Sequence, residues 1–212
     1  MAATQQQASY RTQRAFWLKH LHQWHWISAA ISLIGMLLFA FTGITLNHAG
    51  AIEAKPQISE RQGQLPTVLM DILAAAPRDG RGPLPAPLGD WLAGEFALSL
   101  NGRDADWSAD ELYIALPRPG GDAWLSVDRG DGAVTYEITD RGWISYLNDL
   151  HKGRNTGEAW SWFLDVFAGA CMVFCATGLF LLQLHAANRP ATWPMVGLGF
   201  VAPLLLAILF IH

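Results

Sequence analysis

Three stretches of the chain are apolar enough and long enough to cross a membrane as helices. Residues 27–46 contain no charged side chain, residues 159–184 contain only Asp165, and residues 193–211 contain none. A helix needs about 20 mostly apolar residues to cross the hydrocarbon core of a bilayer. We therefore predict three transmembrane helices, which excludes both a soluble globular protein and a disordered chain.

The segment between the first two apolar stretches has the short helix and strand patterns of a folded domain outside the membrane. Residues 67–76 have the apolar spacing of a helix that ends before Pro77, and a loop rich in proline and glycine follows at 78–90. A proline-bearing stretch precedes the helix at 53–66, and the strand candidates are residues 95–100, 111–117, 123–127 and 133–138. One helix with three or four antiparallel strands predicts a small α+β domain.

Residues typical of turns predict a hairpin and a helix–turn segment at the end of this domain. The last two strand candidates flank the sequence DRGDG, in which glycines occupy positions that tolerate a positive φ, so a hairpin is expected. Residues 140–160 have the pattern of an amphipathic helix followed by a glycine-punctuated turn that leads into the second apolar stretch.

The charges are distributed unevenly along the chain, and they predict its orientation. Residues 1–20 carry Arg11, Arg14 and Lys19 and no acid, whereas residues 49–158 carry 10 basic and 17 acidic residues, a net charge of −7. Basic loops stay in the cytoplasm, so we predict an N-in, C-out topology. The expected segments are a cytoplasmic N-terminus (1–23), span one (24–47), a periplasmic α+β domain (48–158), span two (159–184), a cytoplasmic loop (185–192) and span three (193–212). The basic N-terminus is a topology signal, so no nucleic-acid partner is expected.

The histidines are placed at the ends of the first two spans. His22 and His25 lie at the cytoplasmic end of span one and His48 at its outer end, while His151 precedes span two and His185 closes it. Polar groups near a bilayer are costly and usually have a partner or a function. The pattern predicts one histidine pair at each face: His25 or His22 with His185 inside, and His48 with His151 outside.

Such pairs suit haem, whose iron takes two axial imidazoles from facing helices. An apolar slot between the spans is expected at Leu33, Phe39, Phe41, Phe163 and Phe167. The alternative is that interfacial histidines only hydrogen-bond lipid headgroups or backbone. His25 and His48 are 23 residues apart, about 34 Å along a straight helix. Electron exchange over that distance is slow, so the chain holds one haem, or two that lean together or are bridged by a second protomer in a homodimer.

Two parts of the chain resemble a known family. Residues 25–49 include TGITLNH and residues 147–182 begin with LNDLHKGR, and both are similar to the PepSY-associated transmembrane helix family, which includes proteins similar to bacterial ferric-siderophore reductases. The resemblance implies b-type haem held by span-end histidines, a PepSY-like outer domain, and a place in the bacterial inner membrane. Matched by its distance to Thr42, the family's first-span histidine is His25, whereas the local L-H-x-W pattern fits His22.

Two further sets of polar residues have candidate roles. Lys152 and Arg154 are candidates for pairing with haem propionates, because a guanidinium matches a carboxylate; the alternative is that they lie near lipid headgroups. Asp165 is the one acid inside a predicted span. It is a candidate proton relay or hydrogen-bond acceptor; the alternative is a structural side chain in contact with water.

The first functional hypothesis is therefore a haem b oxidoreductase. It takes electrons from membrane quinol or another donor and, as the resemblance implies, passes them to ferric iron or a ferric chelate in the periplasm. No flavin or nicotinamide motif is present in the sequence. The alternative hypothesis is a membrane-anchored PepSY-like interaction or assembly module without enzymatic activity.

Overall fold

The computed structural model describes residues 2–52, 55–100 and 102–211, and it describes side chains from residue 13 onward. The chain forms two compact units, residues 1–39 with 162–212, and residues 40–161. The helices of the described part are α1 (Ala2–Asn47), α2 (Thr67–Ala75), α3 (Ala86–Phe96), α4 (Trp143–Lys152), α5 (Glu158–His185) and α6 (Thr192–Phe210). The strands are β1 (Gln57–Gln64), β2 (Gly80–Pro83), β3 (Asp104–Trp107), β4 (Glu111–Ala115), β5 (Gly121–Asp128) and β6 (Ala133–Asp140).

Three of these helices are long and apolar enough to cross a membrane, as the hydrophobic pattern predicts. The candidate spans are Gln13–Asn47, Glu158–Asn188 and Thr192–Phe210, so the chain has the helices of a multi-pass membrane protein. The polar N-terminal segment is helical from Ala2. Residues 2–26 contain no proline or glycine to stop the helix. The end of the third predicted span, His212, lies outside the described residues.

Helix α1 presents a seam of small and polar side chains at alternating three- and four-residue spacing, which is the spacing of a two-helix contact. Its members in the first unit are His25, Ser28, Ser32, Gly35 and Phe39. Ser28 is 4% exposed and Ser32 is fully buried, and each hydroxyl donates a hydrogen bond to a backbone carbonyl of α1. Polar side chains are therefore accommodated on this face without unsatisfied groups.

The middle of the first two apolar helices is closely packed. A Cβ atom added at Gly35 would collide with the ring of Phe167, and Phe167 stacks on Phe39 with ring centroids 5.0 Å apart. Leu33 and Phe41, predicted to line an apolar slot, are instead 54% and 49% exposed. The slot prediction is therefore wrong for these two residues, because they lie outside the three-and-four spacing of the seam.

The second unit contains a six-stranded antiparallel sheet with the order β1-β6-β5-β4-β3-β2. Strands β4, β5 and β6 confirm three of the four predicted strands. The prediction of a strand over residues 95–100 is wrong, because α3 continues to Phe96 and ends at Ala97 in the left-handed conformation. Sequence patterns missed β1, whose side chains are almost all exposed, and the four-residue strands β2 and β3.

One face of the sheet is covered by α2 and α3. Leu73, Leu88 and Leu92 from the helices are fully buried, together with Leu112 and Leu125 from the central strands. Helix α2 confirms the predicted helix at 67–76. The predicted loop over residues 78–90 instead contains β2 and the start of α3. Prolines are tolerated at a helix start, because the N–H that proline lacks would have no helical partner there.

The expected hairpin between β5 and β6 is present and holds the helical layer to the sheet. The carboxylate of Asp128 accepts hydrogen bonds from the backbone N–H groups of Asp131 and Gly130, which lowers the pKa of Asp128. Arg129, the next residue, donates to the carbonyls of Leu73 and Ala76 at 3.0 and 3.2 Å, and of Pro77 and Ser108 at 2.6 and 3.0 Å. Its guanidinium thereby caps the C-terminal end of α2, where carbonyls lack helical partners.

Helix α4 confirms the amphipathic helix predicted within residues 140–160. It ends at Gly153, whose φ of 65° is the left-handed conformation that glycine tolerates. His151 and Lys152 lie in its last turn. The turn that follows leads into α5, so the second apolar helix starts within a few residues of His151.

Candidate functional site

The ring of His25 reaches across to the second apolar helix. Its Nδ1 atom lies 3.0 Å from the hydroxyl oxygen of Thr177. Its ring stacks on Phe174 at a centroid distance of 4.6 Å and an interplanar angle of 16°. A Cβ atom at Gly178 would lie 3.3 Å from Cε1 of His25, so the glycine lets the imidazole lie close against α5.

His25 and His185 line the same cavity. The cavity has a volume of about 350 Å³, and its other lining residues are Gly178, Leu181, Leu182, Arg189 and Thr192. Pockets that bind small molecules and cofactors are usually about 300–1,000 Å³ and mostly apolar, with a few polar groups. The structure therefore brings together one of the predicted inner pairs, His25 with His185, and adds a guanidinium to it.

His22, the other candidate for this pair, is arranged differently. It is exposed, and its Nδ1 atom is hydrogen-bonded to the carbonyl of Leu18 in its own helix, at 2.8 Å. His185 has the same local arrangement, with Nδ1 2.8 Å from the carbonyl of Leu181. Of the two candidates on α1, His25 is the one that shares the cavity with His185.

The two residues of the predicted outer pair make different hydrogen bonds at the outer end of α1. His151 contacts that helix through Nδ1, which lies 2.6 Å from the hydroxyl oxygen of Thr42. His48 is exposed and its Nδ1 is 3.0 Å from the carbonyl of Ile44. His48 is the residue after the end of α1 and bonds the last turn of that helix, whereas His151 bonds Thr42 from another helix. The His48–His151 site stays a prediction.

The remaining candidates lie at exposed positions. Lys152 and Arg154 are exposed at the end of α4, next to His151. Asp165 is exposed on α5, and its neighbours Trp162 and Val166 are 70% and 64% exposed. No group of three or more His, Cys, Asp or Glu side chains within the described residues is arranged to hold a bare metal ion.

A second cluster, of aromatic and acidic side chains, lies on the face of the sheet that α2 and α3 leave uncovered. Tyr113 and Trp124 stack there with ring centroids 6.1 Å apart, and the indole N–H of Trp124 donates to Glu137 at 3.2 Å. Burial, and then the carboxylates of Asp122, Asp106, Glu111 and Glu137, raise the pKa of Tyr113. Several acids therefore surround an aromatic pair on the face that neither α2 nor α3 covers.

Sequence reasoning missed the residues that hold the imidazoles in place. Thr177 and Thr42 are both buried and each contacts a histidine from another helix. A usable signal was present, since Thr42 continues the three-and-four spacing of His25, Ser28, Ser32, Gly35 and Phe39. Of two glycines on α5, Gly178 lies close to the His25 ring, whereas a Cβ atom at Gly169 would meet no atom within 4 Å.

Comparison with known proteins identifies the family. No curated protein and no solved structure matches the chain. The model of the PepSY_TM-like family matches residues 16–212, a range that includes all three apolar helices and the sheet between the first two. The chain belongs to the PepSY_TM-like family.

Proposed function

We propose that this protein is a haem b membrane oxidoreductase that delivers electrons to ferric iron or a ferric chelate. The observation that supports the proposal most strongly is the cavity shared by His25 and His185. Two imidazoles from different apolar helices are the axial ligand set of a membrane b-type cytochrome. The bound haem would supply a one-electron carrier within the bilayer.

The residues around the cavity fit this group. Nδ1 of His25 and Nδ1 of His185 are both engaged by oxygen atoms of α5, so each ring keeps Nε2 for an iron atom. Leu181 and Leu182 supply part of the apolar wall. Arg189 supplies a guanidinium that would pair with a propionate. Gly178 leaves room beside the His25 ring.

We propose the N-in, C-out orientation in a bacterial inner membrane, with the sheet unit in the periplasm. The basic residues near the N-terminus and the acidic segment 49–158 support this orientation. His25 and His185 would then lie near the cytoplasmic side. Electrons would enter from membrane quinol or another donor, and a second haem at His48 and His151 would extend the route toward the periplasm.

A second candidate function is a membrane-anchored interaction module without haem. The uncovered sheet face favours it, because Tyr113, Trp124 and the surrounding carboxylates match a cationic segment of a partner protein. The two functions differ in their need for His25 and His185. Haem binding requires both residues, whereas the module binds its partner when both are replaced.

The experiment that tests electron delivery follows the oxidation state of the bound haem. The full chain, reconstituted in vesicles, is reduced with a limiting amount of dithionite, and ferric citrate is then added outside. We expect the reduced absorption band to decay as a ferrous chelator detects Fe²⁺, in amounts equivalent to the haem oxidised. Gallium citrate, which has a similar charge but does not accept an electron, is the matched control. A reduced band that persists with ferric citrate as it does with gallium citrate would exclude this substrate class.

A further inference from the structure

The contact between His25 and Thr177 differs in kind from the other histidine contacts at this end of the helices. His22 and His185 each bond the carbonyl four residues earlier in their own helix, a bond that any helical histidine can make. His25 instead bonds a side chain 152 positions away in the sequence. Its ring position is therefore set by α5 and not by the backbone of α1.

The other hydrogen bonds of the Thr177 hydroxyl indicate whether it donates to His25 or accepts from it. The Thr177 hydroxyl lies 2.7 Å from the carbonyl oxygen of Val173 and 3.0 Å from that of Phe174. A hydroxyl has one hydrogen to donate, and these two carbonyls receive it. The oxygen is then left to accept a hydrogen bond, so Nδ1 of His25 is the donor. A neutral imidazole that is protonated on Nδ1 has its lone pair on Nε2.

Two further contacts restrict the same ring. Phe174 stacks on one of its faces, and Gly178 lies against its Cε1 edge. Thr177 is 9% exposed, so water does not readily replace its hydroxyl as the partner. The imidazole is thus fixed in both tautomer and orientation by three residues within one turn and a half of α5.

We infer that Thr177 is a positioning residue that holds His25 in the Nδ1-protonated tautomer and directs Nε2 to the haem iron. The inference rests on the proposed haem function. Partners that orient a metal-ligating histidine typically contribute about 10–100-fold to metal affinity. A hydrogen bond donated by Nδ1–H also makes the imidazole a stronger electron donor, which favours ferric over ferrous iron and lowers the midpoint potential.

Three variants of the full chain test this role. Thr177→Val removes the acceptor at nearly constant volume and should weaken haem retention by about 10–100-fold and raise the midpoint potential of the haem that remains. Thr177→Ser keeps the hydroxyl and should behave as the wild type. Ser161→Ala is the matched control, because Ser161 lies on the same helix outside the cavity lining and its hydroxyl donates only to the carbonyl of Gly157. A haem-loaded Thr177→Val chain with the potential and retention of the wild type would overturn the inference.

A haem-independent measurement separates this inference from the proposed function. Nitrogen-15 NMR of the haem-free full chain, with the His25 signal assigned from His25→Ala, reports which ring nitrogen carries the proton. We expect Nδ1 protonation in the wild type and in Thr177→Ser, and loss of that preference in Thr177→Val. An Nε2-protonated ring in the wild type overturns the inference even if haem binds. A wild type that shows the expected tautomer but never binds haem contradicts the proposed function instead.

Discussion

Replacing His25 or His185 with alanine is expected to abolish the haem binding that we propose for the cavity that the two residues line. Both imidazoles would hold the haem iron, so the loss of either would remove one of the two groups that retain the cofactor. We expect each single variant to lose one haem per chain, as measured by the pyridine haemochromogen assay against total protein. Membrane insertion should be retained, because the apolar helices do not depend on these side chains for their hydropathy.

The chain provides a matched control on the same helix. His22 is exposed and bonded to its own backbone, so His22→Ala should keep the full haem content. His48→Ala and His151→Ala test the separate prediction of an outer haem, which would appear as a second equivalent lost in those variants. Full haem content in a His25→Ala, His185→Ala double variant would place the cofactor elsewhere. Loss of haem in His22→Ala alone would assign the inner ligand to that residue instead.

Arg129→Ala is expected to destabilise the sheet unit by about 3 kcal/mol, because a charged donor to several carbonyls is lost and some of those carbonyls stay shielded from water. The guanidinium bonds Leu73, Ala76, Pro77 and Ser108 at once. It also lies over the ring of Trp107, 5.7 Å from its centroid. Arg129→Lys should recover little of the loss, since an ammonium cannot reproduce the planar fork. Thermal unfolding of the full chain, followed by tryptophan fluorescence, measures the change.

Arg141→Ala is the control for this prediction. Arg141 is exposed and has no side-chain hydrogen bond or ion pair to the described residues, so its replacement should change stability by less than about 0.5 kcal/mol. An Arg129→Ala chain that unfolds at the same temperature as Arg141→Ala would show that Arg129 does not hold α2 to the hairpin.

The hydrophobic pattern was sufficient for the membrane helices and for the central strands. Long apolar runs with at most one charge identify the three long helices, and the alternation in residues 123–127 and 133–138 identifies β5 and β6. The hydrophobic pattern does not identify the edge strands. Strand β1 is exposed along nearly its whole length, and it is held by backbone hydrogen bonds to β6. A strand that buries no side chain leaves no alternation to detect.

The sequence identified the candidate histidines, but it did not predict which of them lie close together. Spacing placed His22 and His25 at the same end of one helix and could not separate them, because residues three apart lie on neighbouring faces. The distinction comes from Thr177 and Gly178 on α5, which are more than 150 positions away. The partners of the outer histidines likewise come from the structure, in which His151 bonds Thr42 and His48 bonds the carbonyl of Ile44.

The central claim is that the cavity of His25 and His185 holds a b-type haem, and a visible spectrum tests it most directly. The full chain is produced in cells supplied with haem, purified from membranes, and measured as a reduced-minus-oxidised difference spectrum. We predict the paired absorption bands of a six-coordinate b-type haem, with at least one haem per chain. A folded, membrane-inserted chain that is colourless and shows no such bands would contradict the claim and favour the interaction module.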